Sequence, residues 1–240
     1  GDAPRDLGSR ASSFSVLNWM ARLKRAMTVG GSGLILSRIL FRGGWPVWAL
    51  VLSACATSSG QPASHIAEPA IAAAYRPLHG RVHLGLDSAE GAAVVIAPGI
   101  AVTNHHNDEM VDPRQVIGIA SQSDLLFFRV QTRAAPPRAQ PVVGEAVTAY
   151  GQGADAELRI AHGVVRDIAT APGFTIARWF TFEGDAGPGF SGGPVVDAKG
   201  RLVGITFAYK DGGGRRLIYA YDMARVQAEL DNLLATRSRR

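Results

Sequence analysis

The chain has 240 residues, 47% hydrophobic and 19% charged, which is the composition of a folding chain and excludes wholesale disorder. Its single cysteine, Cys55, excludes an intrachain disulfide and a cysteine-rich zinc site. The net charge of +5 belongs entirely to residues 1–55, because residues 56–240 carry 18 basic and 18 acidic side chains, so no basic patch indicates nucleic-acid binding.

Residues 1–55 have the order of a leader that ends in an export signal. The segment RGGWPVWALVLSAC at 42–55 places an arginine before ten residues with one polar side chain, followed by small residues. This apolar run is too short for a transmembrane helix, which needs roughly 20 apolar residues. Its last four residues, LSAC, resemble the lipobox of bacterial lipoproteins, which implies diacylation of Cys55. Residues 56–77 are then predicted to be a flexible tether.

Two other interpretations of Cys55 stay open. Ala54 and Ala56 also satisfy the small-x-small site of ordinary signal peptidase, which would give a secreted protein, and the cysteine could be a small buried side chain. The lipobox predicts a membrane contact through a lipid anchor only. Ala56 rather than aspartate after the cysteine favours the periplasmic side of the outer membrane in a two-membrane bacterium.

From residue 80 onward, short runs rich in Val, Ile, Leu, Phe and Thr alternate with Gly, Pro, Asp and Asn, which predicts an all-β fold. The predicted strands are 81–86, 92–97, 100–103, 115–120, 125–131, 146–150, 159–167, 175–182, 194–196, 202–208 and 216–219. A spacing of three and four between apolar residues predicts a C-terminal α-helix over 221–236.

Three prolines at 133–141 cannot donate to a sheet interior, so residues 134–141 are predicted to be an extended connector. It divides residues 78–240 into two groups of strands, 78–133 and 142–220. Each group could close into a small antiparallel barrel of the six-stranded type, which would also remove exposed strand edges.

One serine lies among four glycines and two prolines in GPGFSGGP at 187–194. Glycines let the backbone adopt positive φ around Ser191, which suits an exposed nucleophile, although this octapeptide alone is typical of a plain turn. Upstream lie His105 and His106 after a hydrophobic strand, and Asp124 at the start of the apolar run LLFF. A serine hydroxyl needs a base to take its proton, and a carboxylate fixes the tautomer of that base.

Three segments, at 91–106, 124–130 and 189–194, resemble the chymotrypsin-like (trypsin-like) serine proteases, specifically the bacterial branch without disulfides that includes the HtrA-type and glutamyl endopeptidases. They read GAAVVIAPGIAVTNHH, DLLFFRV and GFSGGP, and strands of the second barrel at 144–151, 162–165 and 200–205 support them. The resemblance covers about residues 78–232. It implies two antiparallel β-barrels and a serine endopeptidase that hydrolyses polypeptide substrates through an acyl-enzyme, with no cofactor.

The same motifs imply a triad of base, orienting carboxylate and nucleophile: His106, Asp124 and Ser191. The base is the fourth residue of the family's T-N-x-H, so adjacent His105 is expected to be a spectator. Asp108 and Asp112 remain alternative orienting carboxylates, although the first lies too near the base in sequence and the second starts no strand.

The resemblance also implies substrate contacts. The backbone N–H groups of Gly189 and Ser191 would form the oxyanion hole. Thr206, Phe207 and Ala208 fall where the family pairs an edge strand with extended substrate backbone, and an ordinary barrel strand is the alternative for them.

Asp185 lies six residues before Ser191, the offset of the pocket-floor residue in trypsin-like enzymes, where a carboxylate would select Lys or Arg. The alternative is a turn at 184–187 in which the aspartate bonds nearby N–H groups.

Phe190 replaces the family's usual Asp or Asn, which excludes activation through a buried salt bridge to a new N-terminus. The gap of 18 residues between His106 and Asp124 is shorter than typical and implies trimmed loops.

The positions of the histidines argue against two other functions. GFSGG at 189–193 also satisfies the nucleophile elbow of α/β-hydrolases, but no histidine follows His162, as that fold requires. The remaining histidines lack partners at metal-ligand spacing, so no metal site is predicted: His65, His79, His83 and His162. The alternative that remains is a protease fold retained as a binding or scaffold protein of the cell envelope.

Overall fold

The computed structural model describes residues 59–81, 88–132, 135–153, 156–170, 178–212 and 215–238, all within one compact unit, Ser53–Arg240. Its strands are β1 Gln61–Pro62, β2 Tyr75–Arg81, β3 Ser88–Ala97, β4 Ile100–Thr103, β5 Val116–Ile119, β6 Leu126–Arg129, β7 Ala146–Gln152, β8 Leu158–Thr170, β9 Arg178–Gly184, β10 Pro194–Asp197, β11 Leu202–Gly212 and β12 Arg215–Asp222. Its helices are α1 Pro69–Ala74, the 3₁₀ helix His105–Met110 and α2 Met223–Ser238.

Six strands of the second half form a closed antiparallel barrel. Their order is β8-β7-β10-β11-β12-β9, and pairing of β8 with β9 closes the circle. The short β1 adds to β8, with Gln61 opposite Ile160. Closure leaves fewer strand edges unpaired, and the interior is filled by fully buried aromatic side chains such as Phe180, Phe182 and Phe190.

The first half forms a five-stranded antiparallel sheet in the order β2-β3-β4-β6-β5. In β3, every residue from Ala92 to Ile96 is at most 1% exposed, so this strand lies at the centre of the core. Strand β4 ends at Thr103 and leads through one residue into the 3₁₀ helix that carries His105 and His106.

Polar side chains join the two halves. The Nε2 atom of Gln152, which is 1% exposed, donates to the carbonyl oxygens of Leu78 at 3.1 Å and of Gly91. Arg138, in the predicted connector, donates to the carbonyl oxygen of Ile96 and to Gln227 Oε1 at 2.7 Å. Because buried carbonyl groups need hydrogen-bond partners, these contacts fix the first sheet against β7 and α2.

The predicted all-β fold with a C-terminal helix is confirmed, and all eleven predicted strands overlap observed ones. The predicted second barrel is closed, whereas the described residues of the first group form a five-stranded sheet. The prediction at 81–86 overlaps only the last residue of β2, and its other residues lie outside the described ranges. Tyr221 does not begin the helix as predicted. It belongs to β12, because it pairs with Ile205 of β11 and Trp179 of β9.

The described part of the predicted tether is structured. Residues 59–77 contain β1, α1 and the start of β2. Ile71 is fully buried, and the N–H of Gly60 donates to the carbonyl oxygen of Asp185 at 3.0 Å. The segment has few large apolar residues, so its composition resembles a linker, and its order comes from pairing with β8 and packing on the barrel.

Truncation of Phe182 tests the barrel core. Phe182 is fully buried, so Phe182→Ala should lower the free energy of unfolding by about 3–5 kcal/mol through lost burial and a residual cavity. Val143 is 58% exposed, and Val143→Ala should change it by no more than about 0.5 kcal/mol. Denaturant unfolding of both variants measures the difference, and equal values would contradict this packing.

Candidate active site

His106 and Asp124 come together at one end of the first sheet. Asp124 lies in the loop between β5 and β6, and His106 lies in the 3₁₀ helix after β4. Nδ1 of His106 is 2.6 Å from Asp124 Oδ2, and the backbone N–H of His106 donates to Oδ1 at 3.1 Å. Because an ionised carboxylate only accepts hydrogen bonds, Nδ1 carries the proton and Nε2 is left as the acceptor.

The Asp124 carboxyl is held in its ionised form. Burial by itself raises the pKa of Asp124, but the hydrogen bonds from the side chain and backbone of His106 and the charges of His106 and His105 together lower it below its usual value. The main chain of Asp124 is anchored as well, because Asn104 Nδ2 and the N–H of His105 donate to its carbonyl oxygen at 2.9 Å and 3.3 Å.

The serine turn, residues 187–194, contains two glycines with positive φ. The φ angle is +85° at Gly189 and +80° at Gly192, a region that other residues rarely enter. A Cβ atom at Gly189 would lie 2.0 Å from the carbonyl oxygen of Gln152, and one at Gly192 would lie 2.1 Å from that of Ala92. Glycine is therefore required at both positions for this turn, which presents Ser191 between them.

The backbone N–H groups of the serine turn fall into two sets. Three of them donate to carbonyl oxygens at 2.9–3.1 Å: those of Phe190, Gly192 and Gly193. In the described part of the chain, no hydrogen bond uses the N–H groups of Gly187, Gly189 and Ser191. The last two are the groups that the sequence resemblance implies for an oxyanion hole.

The carbonyl oxygen of Ser191 connects the serine turn to the first sheet. It accepts hydrogen bonds from the N–H of Ala92 at 2.9 Å and from Asn107 Nδ2 at 3.0 Å. Asn107 follows His106 in the chain, is 2% exposed, and also donates to Thr103 Oγ1 at 3.0 Å. The helix that carries His106 is therefore bonded directly to the turn that carries Ser191.

The predicted substrate strand is buried, and part of one edge is not paired with another strand. Thr206, Phe207 and Ala208 lie in β11 and are each at most 6% exposed. The backbone N–H and carbonyl of Thr206 bond to the serine turn at 3.0 Å and 2.9 Å. Strand β10 pairs with β11 only as far as Ile205, so among the described residues no strand covers that edge of Phe207 and Ala208.

Asp185 is exposed, and its hydrogen bonds to other described residues are made by its carbonyl and not by its carboxylate. That carbonyl accepts hydrogen bonds from the N–H of Gly60 at 3.0 Å and from the Arg216 guanidinium at 3.4 Å. Selection of Lys or Arg would need the carboxylate in a poorly hydrated pocket. The placement of Asp185 favours the alternative, in which the aspartate belongs to a surface turn.

At the position where the resemblance implies Asp or Asn, Phe190 makes an apolar contact. The side chain is fully buried, and its ring lies against Gly151 of β7 and Gly60 of residues 59–77, which we call the N-terminal segment. A Cβ atom on either glycine would come within 2.6 Å of the ring. The serine turn therefore packs on the N-terminal segment through an aromatic side chain instead of an ion pair.

The other candidate residues have neighbours of their own. Asp108 Oδ2 lies 3.7 Å from His105 Nε2, and Asp112 accepts a hydrogen bond from the N–H of Arg114. Within the described ranges, no three His, Cys, Asp or Glu side chains are grouped to hold a metal ion. Three further histidines each contact a polar side chain, and His83 lies outside the described residues: His65 with Ser64, His79 with Glu90, and His162 with Thr148.

Comparison with known proteins decides the family. The trypsin-like peptidase domain matches residues 83–205, slightly more than half of the chain. The chain belongs to the trypsin-like peptidase family. Members of this family are serine peptidases. A comparison with curated proteins found no match.

Solved structures of trypsin-like peptidases show the same chymotrypsin-like fold. An HtrA-type protease, AlgW, with a tripeptide is 22% identical, with a TM-score of 0.53 over 67% of this chain and 59% of that one. A serine endoprotease from Yersinia pestis is 20% identical (TM-score 0.54; 69% and 64%). The active form of the Rv3671c protease from M. tuberculosis is 17% identical (TM-score 0.55; 83% and 94%). The chain thus spans about three fifths of the length of AlgW.

Two residues of the site have no counterpart in the sequence predictions, Asn107 and Tyr221. The hydroxyl of Tyr221 accepts a hydrogen bond from the backbone N–H of Asp124 at 3.0 Å. Asn107 and Ser191 are 84 residues apart, and Tyr221 and Asp124 are 97 apart. The one sequence signal for Asn107 is that it adjoins His106, and chain order contains no signal for Tyr221.

The pKa of Asp124 predicts a pH dependence of stability. Because this pKa is lower in the folded than in the unfolded chain, ionised Asp124 stabilises the fold above its unfolded pKa of about 3.9, and this contribution is lost as the pH falls through the folded pKa. Denaturant unfolding should therefore show that wild type loses its stability advantage over Asp124→Asn as the pH falls from about 6 to below the unfolded pKa of about 3.9.

A matched variant separates this effect from the removal of any carboxylate. Asp185 is exposed, and Asp185→Asn measures the change produced by a surface aspartate. The expectation is contradicted if the stability difference between wild type and Asp124→Asn is the same at both ends of this pH range.

Proposed function

We propose that this chain is a serine endopeptidase in which Ser191 attacks the peptide carbonyl, His106 acts as base and then as acid, and Asp124 orients the imidazole. The observation that carries the proposal is the 2.6 Å hydrogen bond between His106 Nδ1 and Asp124 Oδ2, made by a helix that is bonded to the backbone of Ser191. The membership of the chain in the trypsin-like peptidase family supports the reaction class.

The chemistry proceeds in two halves. In the first, Ser191 Oγ bonds to the carbonyl carbon while His106 Nε2 takes the hydroxyl proton, and Nε2 then gives this proton to the amine as the C–N bond breaks. In the second, water attacks the acyl-enzyme ester, His106 takes and returns a proton, and the carboxylic acid leaves. No cofactor takes part. Among the described residues, no hydrogen bond joins the Ser191 hydroxyl to the His106 ring. Catalytic hydrogen bonds are often long in a free enzyme and shorten when substrate binds.

The oxyanion of the tetrahedral intermediate is stabilised by the N–H groups of Gly189 and Ser191. Support comes from the turn itself, because the N–H groups of Phe190, Gly192 and Gly193 are already bonded to carbonyl oxygens, and two of its glycines hold the backbone at positive φ. One such donor typically contributes about 3 kcal/mol to the transition state, because it is already oriented when charge develops.

A polypeptide substrate binds as an added strand along β11. The support is the edge of Phe207 and Ala208, which β10 leaves uncovered next to the serine turn. Extended peptides commonly pair with such an edge through main-chain hydrogen bonds. Thr206 has a different role in this arrangement, since its backbone holds the serine turn.

Active-site labelling of the full chain tests the triad. A fluorophosphonate should label wild type at Ser191, and Ser191→Ala, His106→Ala and Asp124→Ala should each reduce turnover by a factor of about 10⁴, with double variants little worse. Exposed residues of the same types give the controls, and Ser64→Ala and His65→Ala should keep labelling and turnover.

Two results would redirect this proposal. A folded wild-type protein that does not label would favour the second candidate, a protease fold retained as a binding or scaffold protein, which the replacement at Phe190 motivates. Normal turnover of Asp124→Ala would move the orienting role to Asp108 or Asp112.

For localisation, we propose that Cys55 is diacylated and holds the enzyme in the cell envelope, on the periplasmic side of the outer membrane, with plain secretion as the alternative. The LSAC sequence at 52–55 supports the anchor, and both it and the export signal lie outside the described residues. No described helix is long and apolar enough to cross a bilayer. Only residues 56–58 separate Cys55 from Ser59, which is already buried.

Mass spectrometry of the mature protein tests the anchor. We expect an N-terminus at Cys55 that carries a diacylglyceryl group, because one lipid-linked cysteine tethers a domain without spanning the membrane. In cell fractionation, Cys55→Ser should release the protein from membranes. An unmodified mature N-terminus at Thr57 would instead indicate plain secretion.

A further inference from the structure

The loop that carries Asp124 is bonded to the C-terminal end of the chain at three consecutive residues. We call residues 120–125 the Asp124 loop. The three contacts are Gln122 carbonyl oxygen with Arg225 Nη2 at 3.0 Å, Ser123 Oγ with Glu229 Oε1 at 3.3 Å, and the N–H of Asp124 with the Tyr221 hydroxyl at 3.0 Å. The loop is therefore held from the opposite half of the molecule.

The helix side of this contact is a buried ion pair. Arg225 Nη2 lies 2.6 Å from Glu229 Oε1, and the two side chains are 5% and 7% exposed. Buried charges need additional hydrogen bonds to offset the loss of water, and the Asp124 loop supplies them to both partners through Gln122 and Ser123. The loop and the ion pair thus depend on each other.

Tyr221 is fixed independently of the helix. It lies in β12, is 5% exposed, and its ring stacks on Phe207 of β11 with centroids 4.1 Å apart and planes at 17°. Burial raises the pKa of the Tyr221 hydroxyl above its usual value, so the phenol stays neutral over the working range of an enzyme. The barrel therefore supplies a rigid acceptor for the backbone of Asp124.

We propose that Tyr221, Arg225 and Glu229 are positioning residues that hold the Asp124 loop so that its carboxylate stays in hydrogen-bond contact with His106. The inference rests on the orienting role of Asp124 in the proposed function. Only 17 residues lie between His106 and Asp124, so the first half has little additional chain to support the loop. Small displacements of a catalytic group lower reaction rates steeply, so loss of these contacts should lower kcat measurably.

The test compares Tyr221→Phe and Ser123→Ala with Tyr150→Phe in the full chain. Tyr221→Phe removes one hydroxyl and keeps the ring on Phe207, so it should fold. Tyr150→Phe removes the hydroxyl of a comparably buried tyrosine that bonds to Glu68 outside the site. The readouts are kcat and KM on a peptide substrate and the downfield proton resonance of the His106 Nδ1–H to Asp124 hydrogen bond, measured without substrate.

We expect Tyr221→Phe to lower kcat about tenfold with KM changed less than about twofold, and Ser123→Ala to act in the same direction. The His106 resonance should shift or broaden in both variants and stay in place in Tyr150→Phe. A wild-type kcat together with an unchanged resonance in Tyr221→Phe, or an equal loss in Tyr150→Phe, would overturn the inference. If wild type neither labels nor hydrolyses peptides, the proposed function fails, and the resonance still decides whether these residues position Asp124.

Discussion

The carbonyl oxygen of Ser191 is the junction on which the site depends. It accepts hydrogen bonds from the N–H of Ala92 in β3 and from Asn107, the neighbour of His106. Ser191 and His106 belong to different halves of the chain, so no local chain geometry sets their separation. Two hydrogen bonds to this one partly buried acceptor define both distance and direction, and loss of either donor would leave it poorly paired.

The lack of space for side chains around the serine turn fixes the backbone conformation that brings the Ser191 carbonyl to its two donors. The positive φ angles at Gly189 and Gly192 bring the backbone close to neighbouring carbonyl oxygens, where a Cβ atom does not fit. The same conformation engages the N–H groups of neighbouring residues and leaves those of Gly189 and Ser191 without a hydrogen bond among the described residues. Backbone shape and the proposed oxyanion stabilisation therefore have one cause.

Phe190 shows how a chymotrypsin-like fold can support this turn without an acidic residue. Its buried ring packs between Gly60 and Gly151, and the adjoining Ser59 accepts a hydrogen bond from Arg216 at 3.1 Å. Apolar burial is not directional, so it contributes stability while the glycine-bounded backbone supplies geometry. The N-terminal segment that resembles a linker in composition is thus part of the support for the serine turn.

The sequence by itself determined the features that depend on near neighbours. Alternating apolar residues and turn formers predicted most strands, and the order of the motifs around His106, Asp124 and Ser191 predicted the family. Only the tertiary structure decided the bonds of Asn107 and Tyr221, the packing of residues 59–77 and the exposure of Asp185. The physical reason is that a side chain's hydrogen-bond partner and burial are set by strands that meet across 80 or more residues, which no local pattern encodes.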